Sequence, residues 1–213
     1  MDTDAQHTRP TERDSSPTPS TGRGRRSRSA RVGAVVVALA LALTFVHAFV
    51  AEPFRIRSDS MANTLHIGDR VLVNKSAYRF GNLPRRGDVV VFDGAGSFDR
   101  EPSEGSDYVK RVVGVGGDRV TCCDERGRIE VNGEPVDERY LHPDDRPSAV
   151  PFDIEVPEGR LWVMGDHRSR SRDSRDLLGA PGGGTVPVDR VIGRVDWIVW
   201  PADRWTSLRG RHG

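Results

Sequence analysis

The chain carries 30 arginines and only two lysines, Lys75 and Lys110, so arginine fills nearly every ordinary cationic position. Arginine stays protonated under all ordinary conditions, whereas a buried lysine is able to release its proton, and base chemistry therefore singles out the rarer residue. Lys110 stands in the apolar run Tyr108-Val109-Lys110-Arg111-Val112-Val113. Strand alternation sends Lys110 and Arg111 to opposite faces, so these two cations need not share an environment. In a dry cleft, desolvation would leave the Lys110 amine a useful neutral fraction at roughly pH 7–9. The competing reading is a strand lysine whose stem is covered and whose head is wet. A neutral amine is able to take the proton of a serine hydroxyl, and Ser60 in Ser58-Asp59-Ser60-Met61 is the candidate nucleophile. A third stretch, Met164 to Arg175, is dense in paired charges and hydroxyls. A solvated loop has such a composition, but carboxylates among arginines also lock a loop by bidentate pairing, and a hydroxyl such as Ser171 is placed to hold an amine in line.

Other chemistries fit less well. His66, His142 and His167 are available as conventional partners of a serine, but nothing in their spacing selects one. An S-x-x-K box fails because Leu72 and Asp107 stand three residues before the two lysines. Gly114-Val115-Gly116-Gly117-Asp118 lacks the full G-x-G-x-x-G spacing, and no helix is expected after it, so these read as turn glycines. The adjacent pair Cys122-Cys123 suits neither zinc nor a C-x-x-C redox motif. Two half-buried or buried thiols in a strand are expected, with a strained vicinal disulfide as the alternative. No metal and no cofactor is called for.

The elements that must position these residues follow from length and patterning. The 213 residues suffice for one sizeable domain with appendages, and a net charge of +1 supplies no global field for nucleic acid. Residues 1–31 are polar, lack apolar periodicity and end in the basic run Arg23 to Arg31, which predicts a disordered tail. Val32 to Ala51 is a run of 20 residues without formal charge, long enough as a helix to cross the ~30 Å of a bilayer core. The run is longer than an ordinary h-region, which favours an uncleaved anchor over a cleaved signal peptide. Five arginines precede it against Arg55 and Arg57 after it, which puts the N-terminus in the cytoplasm. Glu52-Pro53 is expected to break the helix. Beyond it, residues 52–213 read as a mainly β domain, a sandwich or partly open barrel. Strands are predicted over Arg70 to Asn74, Asp88 to Phe92, Tyr108 to Val115, Ile129 to Val131, Arg160 to Met164 and Val191 to Trp200. Asn132-Gly133 marks a hairpin leading into Pro135-Val136. Gly94 to Ser106 and Leu178 to Gly184 read as loops, and Ala202 to Gly213 as a polar basic tail.

In this order the three stretches resemble the type I signal peptidases, membrane-anchored serine proteases with a Ser/Lys dyad. Ser58-Asp59-Ser60-Met61-Ala62-Asn63-Thr64-Leu65 is similar to the family's S-x-S-M-x-P-T-L box, and Lys110-Arg111-Val112-Val113-Gly114 through Gly117-Asp118 to its K-R-x-x-G…G-D box. Gly165 to Arg175 is similar to G-D-N-R-x-x-S-x-D-S-R, and Arg86-Gly87-Asp88-Val89-Val90 is also familiar. The resemblance implies Ser60 as nucleophile, Lys110 as general base, and the Ser58 hydroxyl with the Ser60 backbone N–H as oxyanion donors. It implies that Ser171 orients Lys110, that Asp166 pairs with Arg111 and that Asp173 pairs with Arg175. Two positions depart: Asn63 stands where the family usually has Pro, removing a φ restraint, and His167 replaces the usual Asn. The implied activity is removal of signal peptides from exported precursors at the outer face of the membrane. Its implied partners are precursor proteins and membrane lipid, not nucleic acid, and the chain is expected to act as a monomer. Two rivals are a self-cleaving Ser/Lys peptidase of the repressor type and an inactive tethered β-domain that binds preproteins.

Overall fold

The computed structural model describes residues 23–79, 81–99 and 107–209 and, within the helix, the side chains of residues 30–44. Expectations for residues 1–22, 100–106 and 210–213 lie outside the described residues. The helix α1 covers Arg23–Phe49 and belongs mostly to a unit of its own, Met1–Leu43; the β domain belongs to the second, Thr44–Gly213. Residues 23–31, expected to be unstructured, are thus helical. Arg, Ser and Ala extend a helix at little cost once an apolar run has nucleated it. The 15 described side chains of α1, residues 30–44, are all exposed. Among the described residues no helix is long and apolar enough to cross a membrane, a task that takes about 20 residues.

The strands in chain order are β1 (Ala51–Arg55), β2 (Arg70–Asn74), β3 (Val89–Asp93), β4 (Asp107–Val115), β5 (Arg119–Cys122), β6 (Ile129–Val131), β7 (Glu134–Pro135), β8 (Phe152–Glu155), β9 (Arg160–Met164), β10 (Val186–Pro187), β11 (Val191–Trp200) and β12 (Thr206–Ser207). They form an eight-stranded sheet in the order β1-β2-β11-β3-β4-β9-β10, with β12 on β11, and a four-stranded sheet in the order β7-β6-β5-β8. The domain is therefore mainly β, as the Val-rich runs predict. Glu52-Pro53, expected only to end the helix, lies inside β1. Proline lacks a backbone N–H, and β1 tolerates it because an edge strand leaves one side unpaired. The basic tail also differs from expectation, since Thr206–Ser207 pairs with β11 and Arg204 holds Asp69 at 2.9 Å. Asn132 and Gly133, with φ of 56° and 81°, turn the β6–β7 hairpin through the left-handed region, which that dipeptide accepts at low cost.

The apolar core has three clusters. One gathers Ile56, Met61, Leu65, Val71, Val73 and Val89; a second packs Val120, Ile129, Val131 and Phe152 of the four-stranded sheet with Trp162 of β9. The third holds Val90, Phe92, Val112 and Val163 on the other face of β3 and β4.

Candidate active site

Ser58 to Leu65 leave β1 as a loop held at its neck and along its length. The Ile56 N–H donates to the Asp69 carbonyl at 2.9 Å and the Gly68 N–H to the Ile56 carbonyl at 3.0 Å. Past Ser60, N–H groups of Ala62 and Leu65 donate to the carbonyls of Asp59 and Met61 at 2.9 and 2.7 Å. Met61 and Leu65 are fully buried in the first core cluster, each contributing about 1.5–3 kcal/mol by leaving water. Ser60 therefore rides on a coil anchored by the apolar residues beside it.

Lys110 pairs with Val90 across β3 and β4 and shares its face with Tyr108 and Val112. Its Nζ donates to Ser60 Oγ at 2.7 Å, and both residues are buried, with 3% and 6% exposure. Burial draws the Lys110 pKa down to about 8; Asp173 and Asp166 oppose the shift and Arg175 assists it. An amine so placed is half neutral near pH 8 and is able to accept a hydroxyl proton directly. Ser58 Oγ lies 3.3 Å from Ser60 Oγ. Arg111 takes a separate set of partners, as alternation requires. Its guanidinium grips Asp166 in bidentate fashion at 2.8 and 2.6 Å, reaches the Gly87 carbonyl at 2.9 Å and lies 4.0 Å above the Tyr140 ring. Thr64 Oγ1 donates to the same carboxylate, so the Ser60 loop is tied to Asp166 from its own far end.

Beyond β9, Asp173 and Arg175 pair through two bonds of 2.8 Å, and Asp173 also accepts the Gly165 N–H at 3.0 Å. Gly165 has no room for a side chain. A Cβ there would meet Ser171 Oγ at 2.3 Å and the Ser60 carbonyl oxygen at 2.4 Å, so the absent side chain lets this segment lie directly against the Ser60 loop. Ser171, expected to orient the Lys110 amine, does not hydrogen-bond to it. Its hydroxyl is buried and has no hydrogen-bond partner among the described residues. The Lys110 amine points to Ser60, and the Ser171 hydroxyl is packed beside the Gly165 position instead.

Residues 29–200 match the family described as "Signal peptidase, peptidase S26". The chain belongs to that family. It is similar to the signal peptidase I of Mycobacterium tuberculosis (strain ATCC 25618 / H37Rv), 41% identical with 76% of this chain and 69% of that protein covered. It is also similar to signal peptidase IB of Staphylococcus aureus, 34% identical with 73% and 81% covered. A solved signal peptidase I of Enterococcus faecalis V583 is 25% identical, with a TM-score of 0.40 over 53% of this chain and 96% of that one. Membership makes the chain a serine endopeptidase of the signal peptidases, which remove signal peptides from precursors.

The two departures from the S26 pattern take on definite structural roles. Asn63 has φ of +84°, in the left-handed region, where Asn is several-fold enriched and the proline ring, fixed near −65°, does not fit. Its Nδ2 donates to the carbonyls of Tyr140 and Leu141 at 3.1 and 3.0 Å. The φ restraint that a proline would supply is thus replaced by two side-chain hydrogen bonds. His167 donates its N–H to the Ser60 carbonyl at 3.1 Å, and its Nδ1 lies 3.3 Å from the Asp59 carbonyl. It braces the loop backbone, while the Ser60 hydroxyl faces Lys110.

Sequence reading missed two features of this S26 chain. Arg168 is buried and paired with Glu138, a buried carboxylate from a segment with no motif of its own, and it also donates to the Gly165 carbonyl at 2.9 Å. A basic loop residue flanked by Arg170 and Arg172 gives no sign of which arginine turns inward. Cys122 and Cys123 are joined in a vicinal disulfide, which corrects the expectation of two thiols; their adjacency already brought the sulfurs within reach.

Proposed function

We propose that Ser60 and Lys110 are the catalytic dyad with which this signal peptidase cleaves precursors. The observation that carries the reading is the 2.7 Å bond from a buried lysine amine to a buried serine hydroxyl. Neutral Lys110 takes the Ser60 proton as Oγ attacks the scissile carbonyl. The Ser58 hydroxyl and the Ser60 N–H face the resulting oxyanion, and each such donor is typically worth ~2.7–4 kcal/mol of barrier. Protonated Lys110 then gives its proton to the departing amine, the peptide C–N bond breaks, and an acyl-Ser60 ester remains. Water, deprotonated by the same amine, hydrolyses the ester, releases the signal peptide and restores both groups. Asp166 with Arg111, and Asp173 with Arg175, hold the two flanking segments in register. Ser171 belongs to the same support, its buried hydroxyl packed beside Gly165.

The apolar part of α1, from residue 32 to Phe49, serves in this reading as a single anchor, shorter than the expected run to Ala51 because Ala51 opens β1, with residues 1–31 cytoplasmic and the β domain forming the extracytoplasmic catalytic domain. Support comes from the uncharged run, the arginines before it and the exposed apolar side chains of α1, among them Val32, Val36, Leu39 and Leu43. An apolar helix left uncovered by protein needs lipid to cover it. Confinement to the membrane would put Ser60 in the plane where a precursor's own apolar segment lies.

The test is cleavage of a synthetic precursor by the full-length protein in detergent, beside Ser60→Ala and Lys110→Ala. Wild type cleaves and both variants are silent; normal cleavage by either variant sinks the dyad. A wild type that holds the precursor without cutting it turns the reading to a tethered binding domain. The wild-type rate climbs through about pH 8 as Lys110 loses its proton, and a rate flat from pH 6 to pH 10 contradicts the assignment.

A further inference from the structure

His142, Asp145 and His167 converge beside the Ser60 loop without any part in the dyad. Each offers one ligand atom, and these atoms lie within 4.8 Å of one another. The imidazoles of His142 and His167 stack with centroids 4.1 Å apart and planes 12° from parallel. We infer that His142, Asp145 and His167 form a site for a zinc-like divalent transition-metal ion that clamps the 140–145 segment to the nucleophile loop.

The backbone fixes the three side chains from both sides. The His142 N–H donates to the Asp166 carbonyl at 3.0 Å, and the Asp145 N–H donates to the His142 carbonyl at 2.9 Å, so one turn carries both residues. The Asp145 carboxylate is aimed at the neighbouring loop, where it accepts the Ser169 N–H at 3.2 Å. His167 has its Nδ1 beside the Asp59 carbonyl, which suits a ring that donates there and offers Nε2 to an ion. His142 Nδ1 instead accepts the Asp144 backbone N–H at 3.4 Å. A backbone carbonyl behind the imidazole, as on His167, is the usual outer arrangement of metal-bound histidine.

Two imidazoles and one carboxylate are a borderline-soft donor set that favours zinc and its neighbours over calcium or magnesium, which take all-oxygen shells. Tetrahedral zinc with bonds of ~2.0–2.1 Å wants ligand atoms roughly 3.4 Å apart and lies in the plane of each ring it binds, so the two imidazoles, 12° from parallel, must rotate out of their stack to aim at one ion. All three side chains are half-buried, which leaves room for that rotation and an open side for a water as fourth ligand. Because the His167 N–H also holds the Ser60 carbonyl, an ion at this site would stiffen the loop that carries the nucleophile. The site stands on side-chain geometry alone, and its occupancy is read without reference to peptide cleavage.

The experiment titrates ZnCl2 into the untagged, chelator-stripped full-length protein by calorimetry, with Co2+ absorption spectra reporting the ligand field. Wild type binds one equivalent, its thermal midpoint rises with zinc, and Co2+ gives the visible bands of a four- or five-coordinate ion. Asp145→Asn and His167→Asn each weaken binding by at least about tenfold and abolish the zinc-dependent rise. His142→Ala serves as a third variant, with circular dichroism verifying that each chain is folded. No saturable binding by wild type, or unchanged affinity in folded Asp145→Asn and His167→Asn, overturns the site.

Discussion

Two ion pairs of this molecule share one geometry and differ in everything else. Arg111 holds Asp166 beside the Ser60 loop, and Arg119 holds Asp153 on the four-stranded sheet, each through two bonds of 2.8 and 2.6 Å. Side-chain exposure is 4% and 0% in the first pair but 68% and 53% in the second. Water screens the outer pair, whereas the inner pair has surrendered its hydration and depends on its partner and on Thr64 and Gly87. The four-stranded sheet draws its stability from apolar packing of Val120, Ile129 and Phe152 with Trp162 of β9. The region around Lys110 instead spends buried charge on holding loops still, which a site for proton transfer needs and an ordinary core does not.

The sharpest way to break this contrast is Asp166→Asn, which leaves Arg111 buried without a countercharge. Urea unfolding should show a loss of about 3–5 kcal/mol, together with lost cleavage; a loss no larger than that of a surface substitution would erase the distinction. Lys110→Met should act in the opposite direction on stability while abolishing cleavage. Lys110 binds its proton more weakly folded than unfolded, so wild-type stability rises with pH from about 8 up to the ordinary lysine value and is lowest below pH 8. The Met variant is therefore more stable than wild type at pH 7, by on the order of 3 kcal/mol at most, and its advantage shrinks above pH 8. Asn63→Pro should destabilise by more than about 1 kcal/mol and slow cleavage, since it forbids φ of +84° and removes two hydrogen bonds; a variant as active and stable as wild type would contradict the loop geometry. The smallest effect belongs to Arg119→Ala, whose thermal midpoint should coincide with that of wild type.

The sequence by itself determined the parts whose signals are local. Alternating Val-rich runs bounded by turn residues located β2, β6, β9 and β11 to the residue, and Asn132-Gly133 located the hairpin. The scarcity of lysine pointed to Lys110, and alternation along β4 separated it from Arg111. Short strands such as β1 and β8 escaped because four or five residues with a proline or scattered charges carry no periodicity, and only their sheet partners make them strands. Tertiary structure alone decided that Arg168 turns inward to Glu138, that Ser171 packs against Gly165 and that His142, Asp145 and His167 meet. It also gave Asn63 its left-handed backbone and its grip on Tyr140 and Leu141, 77 and 78 residues away. Each of these depends on which segments lie against one another, and a contact between distant segments leaves no period, cap or turn signal in the residues that make it.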